Sequence, residues 1–187
     1  SVALAAEARS VAVAPNGQLA VLLANGTVQL LAASGAVAST LAVGGPPAGT
    51  AFDMVFRTQP GGSTDLLVSY SAGVIRRLEW PGGAGGVFAD VSASAPDFRG
   101  MYALADGSVL VASGALSAIV RFDASGTYQG EWDVENAALL NAPHSLCDAG
   151  DGRAVLATGG ASSSTINGYN LATGYTERTY RVYPADA

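Results

Sequence analysis

Residues 10–43 read SVAVAPNGQLAVLLANGTVQLLAASGAVASTLAV, and this stretch decides the fold. Three turn signals, Pro15-Asn16-Gly17, Asn25-Gly26 and Ser34-Gly35, cut it into four short apolar runs of five to seven residues. Asn-Gly between two apolar runs is a strong hairpin signal, because both turn residues take positive φ. The stretch therefore predicts an antiparallel meander of four strands. It also recurs. Gly17, Gly62, Gly107 and Gly152 each close an Asn-Gly, Gly-Gly or Asp-Gly pair, at a constant spacing of 45 residues. A period of about 40–50 residues with short strands around each turn is the signature of β-propeller blades. The fold class expected is all-β, a propeller of four-stranded antiparallel blades.

The blades are expected at about residues 10–43, 50–93, 98–134 and 142–182, within one domain spanning residues 1–187. The third and fourth repeat the order of the first, whereas the second has a lengthened turn over Gln59–Asp65. Near-continuous apolar runs mark the second strand of each unit: Leu19–Leu22, Leu66–Val68, Val109–Val111 and Ala154–Leu156. Such runs fit strands covered on both faces, between stacked blades. Outer strands such as 127–132 and 176–181 alternate polar and apolar residues. Ser1–Ala8 is left over, and is expected to act as a closing strand or as one swapped with a twin. Three closures stay open: a self-contained four-blade ring, a piece of a larger ring, and a half-ring completed by a second copy.

Of 187 residues, 49% are hydrophobic and 13% charged, which is too apolar for a disordered chain. No apolar run approaches the roughly 18 residues of a membrane span. The net charge is −6, and arginine supplies every side-chain cation because lysine is absent. An acidic chain repels phosphate backbones, so no nucleic acid partner is expected. Ser1–Ala6 lacks the basic start and the length of a signal peptide. The single cysteine, Cys147, rules out an internal disulfide framework, and beside Leu146 it is expected to be a small buried thiol.

These units resemble NHL-type and related six-bladed propeller repeats. The likeness is carried by Val109-Leu110-Val111-Ala112-Ser113, by Val120-Arg121-Phe122-Asp123-Ala124-Ser125-Gly126 and by Val11–Gly17. Trp-Asp occurs only once, at Trp132-Asp133, and no Gly-His pair is present, so the recurring signature of WD40 blades is missing. The resemblance implies a central channel, with ligands or partners met at one face, and it carries over no catalytic residue.

Aligning the units places Arg9, Asp53, Arg99 and His144 at the entrance to each inner strand, and hence at the channel mouth. One ionisable group per blade could hold a small ligand, a carboxylate or a sugar, or the four could pair among themselves. Calcium asks for six or more oxygens, and one histidine cannot build a zinc site, so no metal and no cofactor are expected. A Ser-His-Asp arrangement within 144–148 fails because adjacent strand residues point to opposite faces. Trp80, Trp132, Tyr175 and Tyr180 fall on outer strands. They fit either packing between blades or a rim that meets a protein or a glycan. The function expected is a non-catalytic protein-binding or scaffolding module outside the cytoplasm, joined to a protein partner or to its own copies. The alternative is a propeller hydrolase of the lactonase or esterase kind, with Asp53 and His144 in the channel.

Overall fold

The computed structural model describes residues 6–43, 49–94, 96–132, 142–148, 153–159, 164–171 and 176–182. Sixteen strands follow one another in these segments. The first blade holds β1 (Ala8–Val13), β2 (Leu19–Leu23), β3 (Thr27–Leu31) and β4 (Val37–Ala42). The second holds β5 (Ala51–Thr58), β6 (Thr64–Tyr70), β7 (Val74–Glu79) and β8 (Gly85–Asp90). Next come β9 (Phe98–Ala103), β10 (Val109–Ser113), β11 (Ala118–Phe122) and β12 (Tyr128–Glu131). The fourth blade is β13 (Pro143–Asp148), β14 (Arg153–Gly159), β15 (Ser164–Asn170) and β16 (Thr176–Val182). Each set of four is one antiparallel meander, and β1, β5, β9 and β13 are the inner strands. This is a β-propeller, read blade by blade from the 45-residue turn.

Local chemistry explains the turns. Asn16 and Asp106 each accept the backbone N–H two residues on, and Gly17 and Gly107 then take φ of 81° and 80°. That left-handed backbone favours glycine, which is why the glycine recurs. The equivalent Asp151-Gly152 turn lies outside the described residues.

Of the second strands, β6 and β10 are covered on both faces, as their unbroken apolar runs require; every residue of β10 is buried. Alternate residues of one strand serve different cores. Leu66 and Val68 pack towards blade 1 with Leu22 and Val28, while Leu67 packs towards blade 3 with Val109 and Val111. Leu110 and Ile119 of blade 3 then meet Leu146 and Tyr169 of blade 4. Each such side chain contributes about 1.5–3 kcal/mol by leaving water. No blade can cover both of its own faces, so the stack stabilises itself cooperatively.

Two expectations change here. Ala8 opens β1 and pairs with Leu23, and the Glu7 carbonyl accepts the Ala24 N–H, so residues 7 and 8 extend the inner strand instead of forming a separate one. Residues 1–5 lie outside the described residues. Cys147 is exposed rather than buried. Leu146 turns into the core shared with blade 3, and strand alternation sends the next residue to the opposite face. Among the described residues, no helix is long and apolar enough to cross a membrane.

Candidate functional site

Each inner strand breaks register once near its start. Pairing skips from Ala8 to Ser10, from Ala51 to Asp53, and from Pro143 to Ser145, and the Phe98–Met101 segment of β9 shifts likewise. A bulge leaves one extra residue unpaired and re-aims its side chain. The skipped residues are Arg9, Phe52 and His144, with Arg99 at the matching place in β9. Phe52, not Asp53, is therefore the equivalent of the other three. Asp53 belongs to the next layer, with Ser10, Gly100 and Ser145. Phe52 stands 43 residues after Arg9 and 47 before Arg99, further from the 45-residue period than Asp53 at 44 and 46, so the count along the chain favoured Asp53.

Both layers line one cavity of about 360 Å³, walled by Glu7, Ala8, Arg9, Ser10, Phe52, Asp53, Gly100, His144, Ser145 and Leu146. Three of the four residues picked from the sequence, Arg9, Asp53 and His144, thus share a cavity. Arg99 stands beside it and is held by Asp97 at 2.8 Å, with a longer reach to the Ala142 carbonyl at 3.5 Å. Arg9 pairs with Glu7 at 3.2 Å on the exposed lip.

Asp53 is committed to the framework. One carboxylate oxygen accepts the Ser10 hydroxyl of blade 1 at 2.6 Å, and the other accepts the Met101 N–H of blade 3 at 2.8 Å. Beside it, Ser69 Oγ accepts the Asp53 N–H and donates to the Arg99 carbonyl at 2.6 Å. One carboxylate thereby staples three blades. Burial pushes its pKa above the usual 3.8, against the pull of the Ser10 and Met101 hydrogen bonds.

This sets a sign. A carboxyl whose folded pKa is raised holds its proton more tightly when folded, so the cost of its charge is full above that pKa and fades as pH falls through it. Asp53→Asn keeps one acceptor for Met101 and turns a donor towards Ser10. Its melting temperature is expected to match or exceed that of the wild type at neutral pH, with the difference narrowing towards about pH 4. Asp53→Ala leaves the Met101 N–H unpaired and is expected to cost about 1–3 kcal/mol at neutral pH. Thermal melts across pH check both.

His144 sits edge-on to Phe52, with ring centroids 4.9 Å apart and an interplanar angle of 67°. Burial, and then the Arg99 charge, lower its pKa below 6.5, partly offset by Asp97. The imidazole is neutral at neutral pH, with the capacity to accept a proton or a hydrogen bond from a molecule in the cavity. Among the described residues, no three His, Cys, Asp or Glu side chains gather in a way that could hold a metal ion.

The sequence reading missed Phe52, Ser10 and Ser145. The signal was a short motif at each inner-strand start, Ala-Arg-Ser, Ala-Phe-Asp, Phe-Arg-Gly and Pro-His-Ser, whose middle residue is the bulged one. Trp80 stands not on an outer strand but in the turn after β7, half-buried edge-on to Phe56 with centroids 5.0 Å apart, and Trp132, just past the end of β12, is half-buried against Tyr169 at 6.1 Å. Tyr175 lies outside the described residues. Tyr180 pairs its backbone with Ile166 in the last sheet, and its side chain lies outside the described part.

No protein-family model matches the sequence, and none of the curated proteins is significantly similar to it. Solved structures do match. The fold is similar to a protein of unknown function from Bacteroides caccae, with 18% identity, 95% of this chain and 62% of that one covered, and a TM-score of 0.65. It is also similar to virginiamycin B lyase from Staphylococcus aureus (15% identity, 92% and 55% covered, TM-score 0.65). A third match is the WD40 propeller domain of Doa1 (13% identity, 97% and 57% covered, TM-score 0.67), although this chain carries Trp-Asp only once, at Trp132-Asp133. The chain thus spans about 55–62% of the length of the propellers it matches. At these identities the likeness defines the class, a β-propeller, and nothing narrower.

Proposed function

We propose that this chain is a non-catalytic binding and scaffolding propeller that works outside the cytoplasm and meets its partner or ligand at the cavity mouth. The observation that carries this reading is the commitment of Asp53. The carboxylate best placed for chemistry is spent on Ser10 and Met101, and the arginines around it are matched by Glu7 and Asp97. What faces the cavity unengaged by charge is the Phe52–His144 ring pair, which suits contact with a small polar or aromatic group of a protein, or with a glycan. The NHL-like repeat assignment belongs to the same proposal and rests on the Phe122-Asp123-Ala124-Ser125-Gly126 turn. The location rests on the lysine-free surface alone. Cell fractionation checks it.

A second reading is favoured by one observation, the place of the His144 imidazole in the wall of the cavity, edge-on to Phe52. It would make the chain a propeller enzyme acting on cyclic esters, with His144 as general base. Turnover of a panel of lactones and simple esters decides between the two. The binding reading predicts hydrolysis no faster than buffer. Turnover that is abolished in a folded His144→Ala variant would overturn it.

A further inference from the structure

The junction between blades 2 and 3 holds another cavity, of about 210 Å³. Pro96, Phe98, Leu116, Val120 and Tyr128 give it apolar walls, and Glu131 stands beside them. Leu116 and Tyr128 are 42% and 45% exposed, so apolar surface gathers here in the open. A bulge in the outer strand builds this wall. Val120 pairs with Glu131 and Phe122 with Tyr128, and the pairing passes over Gln129 beside Gly130, whose φ is 100°. Val120 and Phe122 lie in the core shared with blade 2. Plain alternation would send residues 128 and 131 to opposite faces, and the bulge turns both towards blade 2.

The cavity is held open. The Ser113 hydroxyl donates to the Pro96 carbonyl, and the Gly114 N–H donates to the Asp97 carbonyl at 3.0 Å. These bonds tie two of its walls together. Asp97 and Ser117, next to Pro96 and Leu116, both hold left-handed backbone at φ 50°. That conformation is costly for a residue with a Cβ and collects at binding sites. A cavity fixed in advance meets its occupant without reordering.

Charge and strand edge name the occupant. Among the described residues Glu131 has no ion pair and no hydrogen bond, whereas Asp97 and Asp106 of the same blade are each matched by an arginine. The acid and the tyrosine belong to this junction and not to the repeat. In blade 2 the places of Val120, Tyr128 and Glu131 are held by Arg76, Gly85 and Val87. β12 is also the outermost strand of its sheet, and among the described residues nothing pairs with its outer edge. Such an edge offers backbone groups to an added strand.

We propose that this junction docks a short extended segment of a partner protein, with an aliphatic and a basic residue two positions apart, the period of a strand. Its backbone adds to β12, the aliphatic side chain enters between Leu116, Val120 and Tyr128, and the lysine or arginine meets Glu131. The site is separate from the Phe52–His144 cavity and does not depend on what that cavity binds.

The test is fluorescence anisotropy with a labelled peptide repeating Leu-Thr-Lys-Thr, on the wild type, Glu131→Lys and Leu116→Ser. Both positions are exposed, and circular dichroism confirms folding. Saturable binding is expected, about tenfold weaker in Glu131→Lys and about fivefold weaker in Leu116→Ser. A companion peptide with glutamate for lysine is expected to reverse the preference, binding Glu131→Lys better than the wild type. No saturable binding, or binding that both variants leave unchanged, would overturn the proposal. So would binding weakened by Glu131→Lys alone, which is the pull of an acidic chain on any cation. Displacement of the peptide by hexylamine at equal concentration would make this a small-molecule site and sink the docking segment.

Discussion

Arg57→Leu is expected to destabilise the protein by about 3–5 kcal/mol, the usual cost of leaving a buried charge without its partner. Arg57 on β5 and Asp65 on β6 lie directly across from one another, 1% and 0% exposed, and their ion pair spans 2.6 Å. Gln59 donates to the other Asp65 oxygen at 2.9 Å. The guanidinium also donates to the carbonyls of Gly107 and Ala124, each at 2.9 Å, and lies 4.5 Å from the centre of the Phe88 ring. Those carbonyls belong to two turns of blade 3, so a single side chain clamps the outer end of the blade 2–blade 3 junction. Truncating it leaves Asp65 with Gln59 but no counter-charge, and takes the guanidinium from both carbonyls at once. The paired replacement Arg57→Leu with Asp65→Leu removes both charges and is expected to recover much of the loss. Urea unfolding of Arg57→Leu, of Asp65→Leu and of the pair measures this, and an Arg57→Leu variant within 1 kcal/mol of wild type would contradict the clamp.

Gly100→Ala should be nearly as damaging, for a different reason. A Cβ at this position would lie 2.6 Å from Ser145 Cα, 2.8 Å from the Leu146 nitrogen and 2.9 Å from the His144 carbonyl oxygen. All three are backbone atoms of β13, so no side chain can swing aside. The inner strands of blades 3 and 4 must part, at about 1–3 kcal/mol for overpacking alone. Because that contact floors the cavity, the same change should shift His144 away from Phe52. Chemical denaturation reads the first effect and the His144 ring signals read the second.

The contrast between these two residues shows what a sequence gives up readily. The blades were legible because the Asn16-Gly17 and Asp106-Gly107 turns and the unbroken apolar runs of β6 and β10 are local consequences of local chemistry. Gly100 and Arg57 are not. Gly100 is demanded by a strand 45 residues away, and the partners of Arg57 sit in turns whose approach depends on the stacking of whole blades. The site was half legible for a related reason. Counting along the chain found Arg9, Arg99 and His144, but Asp53 lies nearer the 45-residue period than Phe52 does, and so stood in for it. Cys147 was misjudged on the same scale. Which face of an inner strand is covered depends on the presence of a neighbouring blade, and nothing in residues 143–148 records that.

The inner strands of separate blades meet at one cavity, and the only histidine of the chain makes this directly measurable. A proton NMR titration of His144 is expected to give a single imidazole resonance titrating below 6.5, shifted by the Phe52 ring current, with that shift lost in Phe52→Leu. A histidine that titrates at or above 6.5 and ignores the Phe52 substitution would place blades 2 and 4 apart, and would contradict the cavity on which the functional reading stands.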